Sequence, residues 1–598
     1  MVAMGLECPV ALFLFLGCSN SVSETNELVE FEDTRLMMER VESLETARDA
    51  GFYEGPILAD VSNDSTNDVV RCTRDGSVPT AESYSLKTDV VIVENTVLRC
   101  GTFKGDKLTG PVSTRSFFVG EIVDLPVVSI SVDPEFFKKY YYDIPGNCAA
   151  PCKSAGFWKD VELPAHVEFF EKGSKSETRS FEFDAGISIA GNNSRTFPKK
   201  SVALKIKKKY QPQWLEYPLF DLFPDKQRFK TLLLRNFGNR YRYDFVSNGA
   251  FAYMLNGTGV DFQRTRPVVV FYNGVYYGIH ELSEKLNEHY MNTNYGIRDN
   301  VTIVKYTTSG MTSDQNMDEY KKLTDFLDTA KFYGSRNQNY EYVKSQLDVN
   351  NLAMYVAFEV YGRNMDWPNN NIRVWKSPHT KWKYIAYDLD FAFGFEQESA
   401  GYSFEEKNSM FKWIQKKQQK GRFSNIYCRL IRNPDFKRLF INGSAILFNS
   451  YVNSKRLSSL VNRFMGEIPE AEMNRDMARF VRDHKLPKNG DHVKKWAKAR
   501  DVSIWEEYIE EFGLQGVIKV SIKSEGRGYI TMDGFSLPDS PGYTDYTGSF
   551  FGGNKMLLLA EPEPGSKFLG WKDGNKDNPR YVKPSDGDAF VAVFGDEP

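Results

Sequence analysis

Asp366, Asn371 and Asp388 carry the strongest chemical signal in this sequence. Asp366 is followed five residues later by Asn371, with Asn370 beside it, in the run Asn364-Met365-Asp366-Trp367-Pro368-Asn369-Asn370-Asn371. The pattern beyond predicts a strand over 372–375, a turn, and a second strand closing on Tyr387-Asp388-Leu389-Asp390. A carboxylate at a strand end and amide oxygens near a second carboxylate make a hard-donor set suited to a divalent cation such as Mg²⁺. An aspartate in that setting can also orient a hydroxyl and take its proton, as phosphoryl transfer requires. By spacing alone, an Asn-rich turn beside a D-x-D calcium or structural site is the simpler account.

Two upstream segments could face phosphates. In the first, a strand ends in Gly191-Asn192-Asn193-Ser194-Arg195, and a second strand is led by Lys199-Lys200. Such a turn can present backbone N–H groups and cations to an anion, although most Gly/Asn/Ser turns are ordinary hairpins. In the second, an apolar run at 232–234 ends in Arg235 and Asn236, followed by a helical stretch at about 244–255 and a hairpin turning at Asn273-Gly274. Glu281 and Glu284 at the hairpin's exit could pair with a phosphate-positioning cation or form structural ion pairs. The structural reading is the simpler for any one of them.

The elements that must position these residues belong to a multidomain α+β chain. At 598 residues it has room for three or four domains. With 41% apolar and 26% charged residues, wholesale disorder, collagen and a polytopic membrane protein are excluded. A net charge of −3 supplies no basic field, so no nucleic-acid partner is expected. Alternating residues and frequent turns over 46–122 predict a small β-sandwich. The central unit, 123–512, runs from a β-rich part to an α-rich part beginning near 317, interrupted by strands at 371–394, which predicts two lobes. Residues 513–598 return to short strands and Gly/Pro turns, with Phe568 and Trp571 as a core pair of a small all-β module.

The N-terminus carries an apolar run at 9–17 that is too short to span a bilayer. It reads as the signal peptide of residues 1–18, followed by a polar tether at 19–45. Leu14-Phe15-Leu16-Gly17-Cys18 resembles a bacterial lipoprotein box, which implies lipidation of Cys18 and export, to the bacterial envelope or outside the cell. No Lys or Arg precedes Arg35, unlike the usual box, and a frayed apolar terminus is the alternative. No Cys/His cluster has zinc spacing. Cys72 and Cys100, on predicted neighbouring strands, could pair in an oxidising compartment, and Cys148 and Cys152 could close a small loop. Free buried thiols are the alternative for each pair.

Taken in order, LPVVSI, GISIAGNNSRTFPKKS, LLLRNFGN, NGVYYGIHELSEK, DWPNNN and YDLDFAFG resemble the spore-coat protein H (CotH) kinase family over about residues 124–510. The family implies an atypical protein-kinase-like fold that transfers phosphate from Mg-ATP to serines of a partner protein. By motif, Asp366 takes the catalytic aspartate role, and Asp388 and Asn371, with Asn370, take the metal. Asp390 would support them, and Tyr387 stands where the family has Trp. The run Gly191, Asn192, Ser194, Arg195 and Lys200 would lie over the nucleotide, with Glu284 nearby. Lys200 and Arg235, then Arg195, are the candidates to contact phosphate. Residues 46–122 resemble a chitobiase C-terminal, fibronectin-III-like module, and 565–574 resemble the core of a bacterial surface β-repeat. The competing function is a catalytically inactive kinase-like scaffold in a cell-surface or polysaccharide-degrading assembly. A glycosidase is disfavoured, because no paired-carboxylate site is identifiable.

Overall fold

The computed structural model describes residues 45–597 apart from position 48 and segments 62–67, 87–88, 143–151, 177, 211, 241–243, 246–247, 336, 396–408, 481–489 and 539–542. The expected signal peptide with Cys18, almost all of the tether, and Cys148 lie outside the described residues. The fold is mixed α/β. Among the described residues no helix is long and apolar enough to cross a membrane.

At the N-terminal end a three-stranded and a six-stranded sheet pack over Ile57, Val90, Ile92, Leu98 and Phe117. Cys72 and Cys100 face each other across antiparallel strands and form a disulfide. Cys152 is also disulfide-bonded.

Seven strands then close into a barrel: β1 (Val127–Val132), β2 (Leu163–Phe170), β3 (Phe181–Ala190), β4 (Ser201–Lys205), β5 (Thr231–Arg235), β6 (Thr265–Tyr272) and β7 (Val275–Glu284). Their order is β1-β2-β3-β4-β5-β7-β6, and β6 returns to β1 in parallel. One face of every strand feeds a single apolar cluster that includes Val128, Val167, Ile187, Leu204, Leu234 and Val270. A barrel of this size is filled by its own side chains. The β6–β7 turn has positive φ at both Asn273 (49°) and Gly274 (80°), as a two-residue hairpin of this hand demands. The Asn273 side chain then donates to Val132 O at 2.8 Å and accepts from Val132 N at 2.9 Å. That pair pins the hairpin to β1 where the barrel closes.

The second lobe has a five-stranded sheet built from the short strand Asp261–Phe262 with β8 (Thr302–Thr307), β9 (Gly310–Ser313), β10 (Ile372–Lys376) and β11 (Lys383–Ala386); its spatial order is the short strand, β11, β10, β8 and β9. Its central helix α1 (Val349–Gly362) is buried on nearly every side, as an all-round apolar helix must be. Asp348 caps its start by accepting from Asn351 N, and Arg363 closes it in the left-handed conformation, φ 49°. The expected helix near 244–255 is only Gly249–Tyr253, because Asn248 stands at φ 60° before it. Helices α2 (Pro434–Ser450), α3 (Glu470–Phe480) and α4 (Asp491–Phe512) are among the further helices of this lobe.

Neither terminal β part hangs free. Two four-stranded sheets at 517–596 share one continuous apolar core with the helices. Buried Asp533 accepts from Arg438 and Asn442 of α2, and the Phe535 ring fills the space that a Cβ on Gly443 would occupy. At the other end Phe118 stacks among Phe52, Phe170 and Phe271. Glu121 takes Arg475 of α3 in an ion pair.

The same junction carries a cross-strand ionic network around buried His166 and Glu168. His166 contacts Asp184 at 2.8 Å and Glu182 at 3.1 Å, while Arg179 bridges Glu168 and Glu182. Burial opposes the charge on His166, but its hydrogen bonds to Asp184 and Glu182 and the Glu168 charge outweigh it and raise its pKa to about 9. A raised histidine pKa stabilises the fold fully below its ordinary value, near 6.5, and that contribution disappears as pH rises through 9. His166→Gln should therefore lower the thermal midpoint at pH 6 and leave a much smaller difference from wild type at pH 9.5. Equal deficits at both pH values would contradict this.

Candidate active site

The loop after α1 and the loop after β11 meet between the barrel and the helical lobe. Met365 N donates to Phe391 O at 3.2 Å and Phe393 N to Gly362 O at 2.7 Å, tying the two loops together. On the first loop, Asp366 Oδ2 accepts from Asn370 Nδ2 and Asn371 Nδ2, each at 2.8 Å. On the second, Asp388 Oδ1 accepts from Arg235 Nη2 at 2.9 Å. Arg235 arrives from the barrel at the end of β5, opposite Glu281 of β7, whose carboxylate lies 4.0 Å from Arg235 Nε.

The backbone bonds that tie these two loops bring the aspartates close enough for the charge of one to act on the other. Burial lifts the Asp366 carboxyl above the usual range, the Asn370 hydrogen bond pulls it back, and the Asp388 charge lifts it again. Asp390 is buried beneath them and rises to about 6, through burial first and the Asp388 charge second. Its Oδ2 is held by Asn239 through the backbone N at 3.0 Å and Nδ2 at 2.8 Å. Burial likewise pushes Glu281 up to about 8, against the pull of Arg235.

The backbone here is unusual. Among the described residues, nine non-glycine residues have positive φ, and Phe237, Asn248, Arg363, Asn371, Asp388 and Phe393 all border this cleft. Such conformations cost about 1–3 kcal/mol each and concentrate where geometry matters more than stability. Asn248 helps to hold one of them, accepting from Leu389 N at 2.9 Å beside Asp388.

The remaining sequence-expected residues make their contacts within the barrel and its loops. Arg195 is spent on its own turn, donating to Gly191 O and Phe157 O. Lys200 donates to Arg195 O at 2.6 Å and sits over the Phe157 ring, and burial lowers its pKa to about 8. Gly191, at φ 93°, has Ser194 Oγ where a Cβ would stand, and Asn192 is exposed. Glu284 is buried against Arg264 and Asn294. Of the candidate cations, the structure brings Arg235 to the two aspartates.

Four contributors escaped the sequence reading. Lys199, fully buried, pairs with Asp476 of α3 at 2.6 Å, and Asp476 also accepts from Ile279 N. Asn239 and Asn248 hold the Asp388 loop. Lys199 and Asn239 sat inside quoted motifs, whereas Asp476 lies 277 residues from its partner and gave no local signal.

The oxygen donors of Asp366, Asp388, Asn370 and Asn371 fit a hard divalent cation: both carboxylates reach the cleft, and the two amide nitrogens are turned onto Asp366. The cluster of His166, Glu168 and Glu182 lies within 4.8 Å but does not fit one. Its imidazole is kept protonated and Arg179 already serves its carboxylates.

The family model described as CotH kinase protein matches residues 187–504, more than half of the chain and all of this cleft. The chain belongs to the CotH kinase family. The CotH match begins inside β3, so β1 and β2 lie outside it although they complete the barrel. No curated protein matches. Among solved structures, the chain is similar to CtkA, a proinflammatory kinase of Helicobacter pylori. Identity is 11% over 48% of this chain and 98% of that one, at a TM-score of 0.22, too low to carry a structural argument.

Gly238 tests the packing of the CotH cleft. It has φ 56°, and a Cβ there would lie 2.4 Å from Asp390 Oδ2. Gly238→Ala should cost about 1–3 kcal/mol by denaturant titration and weaken Mg-ATP binding in calorimetry. Unchanged affinity would show that Asp390 does not support the cleft.

Proposed function

We propose that this chain is a protein kinase that moves the γ-phosphate of ATP, with Mg²⁺ as cofactor, to a seryl hydroxyl of an exported partner protein. The observation that carries the reading is the convergence of Asp366 and Asp388 on one cleft, with Arg235 beside them. Asp388 and Asn371, with Asn370, hold the cation, which when bound neutralises phosphate charge.

Asp366 Oδ2 is saturated by two amides, so Oδ1 is the oxygen that receives the hydroxyl proton. Its raised pKa makes it a better base than an exposed aspartate. As the seryl Oγ–phosphorus bond forms, the bond from the γ-phosphorus to the bridging oxygen breaks and ADP leaves with that electron pair. Arg235 is the cation placed to meet phosphate oxygens, with Glu281 behind it. Work outside the cytoplasm is supported by the Cys72–Cys100 disulfide, and a lipid on Cys18 would anchor the chain to the envelope.

Asp366→Asn should reduce phosphate transfer from labelled ATP by roughly 10²–10⁴-fold while Mg-ATP still raises the thermal midpoint. Asp388→Asn should lose both transfer and the Mg²⁺-dependent part of that shift. Full transfer by both variants would reject the assignment. A wild-type chain that binds Mg-ATP yet transfers nothing to itself, to casein or to envelope extracts would favour the scaffold.

A further inference from the structure

Helix α1 is apolar and buried along its length, yet its penultimate turn carries Glu359, only 1% exposed. An ionisable group costs free energy in such a place unless its contacts need it. Burial pushes this carboxyl up to about 8, partly offset by Asn364 and Tyr355. Its contacts lead to the catalytic loop. Asn364, also 1% exposed, donates from Nδ2 to Glu359 Oε2 at 2.9 Å. The other side of that amide, Asn364 Oδ1, accepts from Asp366 N at 3.2 Å. One turn earlier on the same face of α1, Tyr355 OH accepts from Trp367 Nε1 at 3.1 Å.

An asparagine amide has a donor end and an acceptor end, and only one orientation suits a backbone N–H. An acceptor at Glu359 fixes the NH₂ end toward the helix, which leaves the oxygen facing Asp366 N. A leucine at 359 would pack as well but leave the amide free to turn, removing the bond that sets the height of Asp366 in the cleft.

We propose that Glu359 is a positioning residue, which acts through the Asn364 amide to fix the backbone of Asp366 and so aim its carboxylate at the acceptor hydroxyl. The inference rests on the reading of Asp366 as the proton acceptor. Glu359 touches neither nucleotide nor cation, so its removal affects turnover and not nucleotide affinity.

The test compares Glu359→Leu, Glu359→Gln, Asn364→Ala and Asp366→Asn in the full chain, measuring ADP release from Mg-ATP and the Mg-ATP-induced shift in thermal midpoint. Glu359→Leu and Asn364→Ala should each lower kcat roughly 10- to 100-fold, the scale of a misplaced reacting group, with KM for ATP and the thermal shift within twofold of wild type. Glu359→Gln keeps an acceptor for Asn364 and should recover most of kcat. The Glu359→Leu, Asn364→Ala double variant should be no slower than either single. Wild-type kcat in Glu359→Leu, or in Asn364→Ala should Glu359→Leu not fold, overturns the inference. So does equal loss in the Gln and Leu variants, or loss of kcat matched by loss of ATP affinity. Asp366→Asn separates the two claims: if it still turns over, the reading of Asp366 fails. If it is inactive while Glu359→Leu is fully active, only the role of Glu359 fails.

Discussion

The Arg235–Asp388 ion pair across the seam between barrel and helical lobe is the interaction around which the cleft is organised. Asp366, Asp388 and Asp390 share this cleft, and the Asp388 charge raises the cost of ionising the other two. The chain relieves that repulsion differently at each. Asp388 is neutralised across the lobes by Arg235, Asp366 is covered by two amides of its own loop, and Asp390 is buried against Asn239 with its pKa raised. The oxygens gathered there are the hard donors that a divalent cation prefers.

The lobes are held around that seam from both ends. The barrel closes through a parallel pairing of β1 with β6, and the turn residue Asn273 secures it. Helix α3 touches three parts of the molecule at once: Asp476 is sunk into the barrel against Lys199 and β7, and Arg475 reaches Glu121 beyond the N-terminal sheets. Gly278, at φ 117°, leaves no Cβ to block Asp476, whose oxygen would lie 2.5 Å from one. The C-terminal sheets share the core of α2 and α4 rather than following it as a separate bead.

What was legible in the sequence was local. The Asp366–Asn371 spacing and the strand leading to Asp388 are local in the sequence; the strand ends at Ala386, two residues short of the expected end, and Asp388 stands on the loop after it. The long-range partners were not legible. Arg235 and Asp388 are 153 residues apart, and nothing near either names the other. Lys199 and Lys200 are adjacent and of one type, yet just before β4 the first turns to Asp476 and the second to a backbone carbonyl. The short helix at 249–253 fell short of its expected length because Asn248 serves the Asp388 loop instead. Glu359 is a lone acid in an apolar helix, and its geometry says what it holds.

The central claim is that one oxygen cluster grips a divalent cation against a triphosphate in this cleft. Anomalous scattering from crystals grown with Mn²⁺ and a non-hydrolysable ATP analogue tests it most directly. The account predicts a single strong peak bonded to the Asp388 carboxylate and to an amide oxygen of the Asn370-Asn371 pair, with Arg235 turned from Asp388 to the phosphates. A nucleotide seated elsewhere, or an Arg235–Asp388 ion pair left intact with no peak beside it, would contradict the account.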